Sequence, residues 1–217
     1  MSTVPLHRYV MFLLLAAGGC AVDLATKSWI FGWLGNEGEK PSYWLFDGVF
    51  GFGFTTSLNE GALFGVGQGQ VVFFTILSLT AAVAILYWLF IGGAVRDGLL
   101  NFAMGCVMAG ILGNMYDRVG LPGLHWNGLN GRHPPGEPVY AVRDWLHFKI
   151  NPIDYHWPIF NIADSLLVCG AAMLIWHAWK NESTAGHSAT SDATSVGDGD
   201  KPAEPGAPVA MDAARRS

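Results

Sequence analysis

The sequence predicts an all-α integral membrane protein built on four transmembrane helices, and three observations predict it. Of 217 residues, 51% are hydrophobic and only 13% charged, with a mean hydropathy of +0.32 that is high for a soluble domain. The apolar residues gather in four runs, 9–34, 70–93, 98–115 and 158–179. Each is near the ~20 residues that cross a hydrocarbon core of about 30 Å. The stretch Val71–Ile91 is apolar on every face, which suits lipid and not a helix with one side in water.

The first run opens with "MSTVPLHRYVMFLLLAAGGC", which has the outline of a secretory signal ending in a lipobox-like "AAGGC" at Cys20. The apolar pattern resumes beyond Cys20 through Trp29, Ile30, Phe31 and Trp33, so an uncleaved first helix is expected. Asp23 and Lys27 lie four apart on that helix and share a face, where they can pair. Lys27 and Ser28 point about 100° apart and make a poor Ser/Lys nucleophile pair.

Between the first two runs, "GVFGFGFTTSLNEGALFG" alternates glycine with Phe50, Phe52 and Phe54. Period-two apolar spacing predicts short strands lying against the membrane surface. Asn59 follows in "NEGALFG".

The third run ends in "GNMYDRVG", which brings Asn114, Asp117 and Arg118 together at the bilayer exit. An Asp–Arg pair at the interface would account for Asp117 and Arg118 but not for Asn114, one turn deeper on the Asp117 side. Residues 120–140, "GLPGLHWNGLNGRHPPGEPVY", have the Gly/Pro/Asn-rich composition of an exposed loop. The segment "VYAVRDWLHFKINPIDYHWPIFNIADS" then carries Asp144, Asp154 and Asp164 among Trp145, Phe148, Tyr155 and Trp157. Those aromatics fit an interfacial belt.

Asp164 stands at the threshold of the fourth run, with Asn161 one turn before it. A carboxylate at membrane depth costs several kcal/mol on most scales and marks a functional site by default. The bland alternative is a first-turn acid favoured by the helix macrodipole.

The histidines at 125, 133, 147 and 156 form no HExxH, and none pairs at i, i+4 on a helix with an acid between. No metal and no cofactor is expected. Cys20, Cys106 and Cys169 lie far apart inside apolar runs and read as small core residues. No basic patch points to nucleic acid. The tail, 181–217, is polar and without aromatic residues, so it should be disordered; its six acids against three bases supply −3 of the net charge of −5. Arg8, Arg96 and Lys180 flank one side of the membrane and favour cytoplasmic termini, although Arg118, Arg132, Arg143 and Lys149 crowd the other.

Two aspartates held close cannot both ionise comfortably and share a proton. The ionised partner can deprotonate water while the protonated one polarises a carbonyl, which is peptide hydrolysis without a covalent intermediate. A small transporter with an Asp-based proton relay uses the same residues, and composition does not separate the two.

The motifs "DLATK", "NEGALFG", "GNMYDR", "VRDWLHF" and "FNIADS", in this order among four spans, resemble the bacterial lipoprotein signal peptidases (signal peptidase II). The resemblance covers about residues 9–180. It implies an aspartyl endopeptidase of the inner membrane whose active site lies near the extracytoplasmic face. It would remove signal peptides from diacylglyceryl-modified prolipoproteins, cutting just before the lipidated cysteine. It further implies Asp144 and Asp164 as the catalytic pair, with Asp23, Lys27, Asn59, Asn114, Asp117, Arg118, Asn161 and Ala163 on supporting positions. A small extracytoplasmic β-cradle and a mobile surface helix would come from the Gly/Phe stretch and "NEGALFG". The implied partners are prolipoprotein substrates and membrane lipids, and a monomer is expected. Residues 1–180 would form the peptidase domain and 181–217 the tail. The long stretch 120–140 departs from the family's short turn. It leaves Asp117 as a rival first aspartate, although Arg118 beside it would hold that carboxylate ionised.

Overall fold

In a computed structural model of the chain, residues 4–61 and 67–195 are described, with side chains described as far as Asn181. The elements run α1 (Leu6–Leu34), β1 (Tyr43–Asp47), β2 (Phe50–Asn59), α2 (Val71–Leu86), α3 (Gly98–Arg118), β3 (Val142–Ile150), β4 (Tyr155–His156) and α4 (Ile162–Ser195). A wider π-helical turn, Tyr87–Ile91, prolongs α2. Among the described residues four helical spans are long and apolar enough to cross a membrane: Leu6–Leu34, Val71–Ile91, Gly98–Arg118 and Ile162–Asn181.

One compact unit, Met1–His177, contains the sheet and most of the helical structure. The second, Ala178–Ser217, is described as helix to Ser195, with side chains only to Asn181. The expectation of a disordered tail falls largely on 196–217, which lies outside the described residues.

Helix α3 is the central one: 67% of its apolar stretch is buried, and it packs against α1 and α2. Small residues make the approach possible. A Cβ at Gly110 would meet the Ala163 carbonyl oxygen, and one at Gly113 would strike the Asp23 carboxylate. In α2, by contrast, only Ala82 is buried, as an all-apolar helix facing lipid requires. Asp97 caps α3 by accepting the Leu100 N–H at 2.9 Å, and His177 of α4 reaches the same carboxylate at 2.8 Å.

The strands form one antiparallel sheet in the order β1-β2-β3-β4. The Gly/Phe alternation does make a strand, β2. Phe52 lies 4.6 Å from Phe148 and Phe54 lies 5.4 Å from Trp145, ring centre to ring centre. Gly53 sits where a Cβ would collide with the Tyr43 carbonyl. This sheet makes the expectation of an all-α class too narrow. The surface helix expected from "NEGALFG" falls on 62–66, outside the described residues.

Residues 120–140 form the irregular, largely exposed loop their composition predicts, but two of its side chains are anchored in the core. Trp126 and Val139 are buried in a cluster with Ile30, Phe31 and Leu34 of α1, Leu58 of β2 and Trp145 of β3. A short antiparallel contact, His125 opposite Pro138, closes the stretch on itself. Asn36 and Asn127 then tie it to the chain after α1. Apolar side chains at 126 and 139 drive this packing despite the polar average around them.

Candidate active site

The start of α4 leaves backbone N–H groups without intrahelical acceptors. Asn161 and Asp164 answer two of these demands reciprocally: Asn161 Oδ1 accepts the Asp164 N–H at 2.8 Å, and Asp164 Oδ2 accepts the Asn161 N–H at 3.3 Å. Asp23 of α1 takes a third, the Ala163 N–H, at 2.9 Å. Asp164 is therefore a first-turn acid, as the bland reading held. Its other oxygen, Oδ1, is turned away from the cap and accepts Asn114 Nδ2 at 2.8 Å.

Asp144 comes from a different element, the middle of the sheet, and is 1% exposed. Asn161 Nδ2 donates to its Oδ1 at 2.6 Å, and Asn59 Nδ2 to its Oδ2 at 3.1 Å. Burial, and then the charge of Asp164, push the Asp144 carboxyl well above the usual carboxylate range, against the pull of Lys27, Asn59 and Asn161.

Beneath the two carboxylates lies a charged layer. Lys27, fully buried, contacts Asp23 at 2.7 Å and Asp117 at 3.0 Å, and donates to Asn114 Oδ1 at 2.9 Å. Because an ammonium only donates, Lys27 decides which way the Asn114 amide points: oxygen to Lys27, nitrogen to Asp164. Asp117 is gripped from the other side by Arg143, with Nε at 3.0 Å, Nη2 at 2.9 Å and the backbone N–H at 3.0 Å. Two acids and two bases thus offset one another in a layer that excludes water.

The ten residues that the motifs single out are brought into contiguous contact, apart from Arg118, which turns aside. The Asp23–Lys27 pair is present as helical spacing predicts. The pairing expected between Asp117 and Arg118 is not. Neighbours on a helix diverge by about 100°, so Asp117 meets Lys27 and Arg143. Arg118 instead donates to the Gly61 carbonyl at 2.8 Å and lies 5.7 Å from the centre of the Phe74 ring. Asp154, the remaining acid of the segment, is solvent-facing. Arg143, inside "VRDWLHF" next to Asp144, is a site residue that the motifs alone do not single out; its signal is a base directly beside the candidate aspartate.

An apolar cavity of about 690 Å³ opens beside Asp164, between the sheet and α4. Phe46, Phe50, Phe148 and Trp157 line one side, Val168 and Cys169 the other. A second cavity of about 340 Å³, walled by Phe74, Leu77, Leu167 and Ala171, reaches Asp164 from between α2, α3 and α4.

Residues 15–180 match the family model described as Signal peptidase (SPase) II. The chain belongs to the signal peptidase II family. It is 44% identical over 177 residues to a lipoprotein signal peptidase of Rhodopirellula baltica, covering 80% of this chain and 74% of that one. It is 35% identical over 133 residues to one of Bacillus pumilus, covering 61% and 71%. A bacterial membrane enzyme structure determined by the in meso method at 2.3 Å superposes with a TM-score of 0.60 at 29% identity, covering 80% of this chain and 90% of that one. The transporter that the intramembrane acids left open gives way to signal peptidase II, a multi-pass bacterial membrane enzyme.

Proposed function

We propose that Asp144 and Asp164 are the catalytic pair of this signal peptidase. As a family member the chain removes signal peptides from prolipoproteins. The observation that carries the assignment is that one residue, Asn161, bonds both carboxylates, through its side-chain nitrogen to Asp144 and its backbone N–H to Asp164, at the mouth of an apolar cavity.

With one proton shared between them, the ionised aspartate takes a proton from water as the water oxygen attacks the scissile carbonyl carbon. The protonated aspartate gives its proton to the carbonyl oxygen, forming a neutral gem-diol. Collapse breaks the C–N bond: the first aspartate passes its proton to the leaving nitrogen, and a gem-diol hydroxyl returns a proton to the second. Atoms and charge balance, and the pair ends with the one proton it began with. Asn59, Asn114 and Asn161 hold the dyad, and Arg118 is left to hold the peptide. Lys27 fixes Asn114 and is held in turn by Asp23 and Asp117, and Ala163 keeps the contact with α3 close.

The substrate is a prolipoprotein carrying diacylglyceryl on the cysteine after the scissile bond. The apolar cavity beside Asp164 suits hydrocarbon, and burial of each CH₂ there contributes about 0.8 kcal/mol. Arg8, Arg96 and Lys180 support cytoplasmic termini, which puts the sheet and dyad on the extracytoplasmic side of the inner membrane. The enzyme works as a monomer among membrane lipids, with residues 1–180 as its peptidase domain.

The test is cleavage by the purified enzyme of a prolipoprotein with and without its diacylglyceryl group, followed by gel shift. Cleavage of the lipidated form alone is expected. Equal cleavage of both forms would remove the lipid from the account of specificity.

A further inference from the structure

Each carboxylate of the pair is faced by an asparagine amide, and an amide can turn either end towards a carboxylate. At Asp164 the buried cation Lys27 settles the direction through Asn114. A comparable chain runs to Asp144 from the stretch 120–140. Arg132 Nη1 donates to Gln68 Oε1 at 3.3 Å, Gln68 Nε2 donates to Asn59 Oδ1 at 3.0 Å, and Asn59 Nδ2 donates to Asp144 Oδ2 at 3.1 Å.

We propose that Gln68 and Arg132 are positioning residues for the reaction, forming a donor relay that keeps the Asn59 N–H, and not its carbonyl, against Asp144. This rests on the reading of Asp144 as catalytic. A guanidinium has donors only, so Gln68 must turn its oxygen to Arg132. The Glu60 N–H reinforces that choice at 3.2 Å on the same oxygen. Gln68 is left with its nitrogen towards Asn59, where the Gly61 N–H also points at Oδ1, at 2.9 Å. Every member of the chain therefore agrees on the direction of donation, and reversing one link sets two acceptors face to face.

Arg132 is itself held for the task. Its Nη2 lies 3.3 Å from Glu37 and its Nη1 3.9 Å from Glu60, and its guanidinium lies 5.9 Å from the centre of the buried Trp126 ring. Glu60 is steadied by His133, 3.0 Å away, which stacks on Trp126. The long stretch between α3 and β3 thus fastens the segment after β2 to the pair. Its buried Trp126 is the anchor.

The relay's output is the protonation balance of Asp144. The charged groups acting on that carboxyl from the surrounding elements are Asp164 of α4, Lys27 of α1 and Arg118 of α3. An N–H facing Oδ2 favours the ionised form, whereas a carbonyl there favours the protonated form and moves the acidic limb of the rate profile to higher pH.

The experiment measures steady-state cleavage of diacylglyceryl-prolipoprotein against pH for the full-length enzyme and four variants. Gln68→Glu keeps an acceptor for Arg132 but replaces the N–H that faces Asn59 with a carboxylate oxygen, which turns that contact from attraction into repulsion. It is expected to lower kcat roughly tenfold with KM within about twofold, and to raise the pH of the acidic limb, with an unchanged melting temperature. Arg132→Met should lower kcat severalfold, less than Gln68→Glu because the Glu60 N–H remains, and Arg132→Lys should restore most of it. Wild-type kcat and an unmoved acidic limb in both Gln68→Glu and Arg132→Met, beside an inactive Asp144→Asn, would overturn the relay while leaving the catalytic pair intact. Turnover in Asp144→Asn would overturn the pair and the relay with it.

Discussion

Asn161 bonds both aspartates of the site at once, through its side-chain nitrogen to Asp144 at 2.6 Å and its side-chain oxygen to the Asp164 N–H at 2.8 Å. The residue that caps α4 is thereby also the spacer between two carboxylates from different elements. Helix capping and dyad geometry cannot be altered separately.

Asn161→Ala should consequently cost more activity than stability. Loss of the cap removes about 1 kcal/mol of stability. Loss of the donor to Asp144 and of the fixed spacing should reduce kcat by roughly 10²-fold or more. Thermal unfolding in detergent alongside cleavage kinetics checks both. Equal and modest losses in the two would make Asn161 a cap only.

Lys27→Met should destabilise strongly. It leaves Asp23 and Asp117 buried with one cation fewer, and breaking a buried pair costs about 3–5 kcal/mol. It also frees Asn114 to turn its oxygen to Asp164. Restoring neutrality with a second change, Asp23→Asn, should recover part of the melting temperature but not the rate.

Asp144 gives a pH signature to stability. Its carboxyl is held well above its unfolded value by burial first and by Asp164 next, so the native state favours the proton. That contribution is fully present below the unfolded carboxyl pKa and is lost as pH rises through the raised, folded one. Asp144→Asn should match wild type in melting temperature under acidic conditions and exceed it increasingly as pH rises through that window. A difference that shrinks with rising pH would contradict the assignment.

Trp126→Ala should destabilise by about 3–5 kcal/mol, the cost of truncating a large buried aromatic. An exposed loop would tolerate the change within about 0.5 kcal/mol. Chemical denaturation of the purified enzyme separates these outcomes.

What was legible in the sequence follows from which forces act locally. Lipid burial is read residue by residue, so the four spans stand out as apolar runs, and glycine alternating with phenylalanine announces β2. β3 is hidden because its alternation carries charge: Arg143, His147 and Lys149 interleave with Val142, Leu146 and Phe148, while its aromatics Trp145 and Phe148 fit an interfacial belt with Tyr155 and Trp157. The partners of Asp117 were missed for a related reason. Adjacency suggested Arg118, whereas Lys27 and Arg143 arrive from α1 and β3 through tertiary packing that no local pattern encodes. The same holds for 120–140, whose polar average concealed two apolar anchors.

The central claim is that Asp144 and Asp164 together carry out the hydrolysis, with Asp117 as structural support. The measurement is single-turnover cleavage of diacylglyceryl-prolipoprotein by Asp144→Asn, Asp164→Asn and Asp117→Asn enzymes of verified fold. Asparagine keeps shape and hydrogen bonding but can neither accept nor supply the proton, so the first two should lose cleavage altogether. Asp117→Asn should retain measurable turnover. Cleavage that survives Asp144→Asn and disappears in Asp117→Asn would contradict the account and move the first aspartate to the other side of the 120–140 stretch.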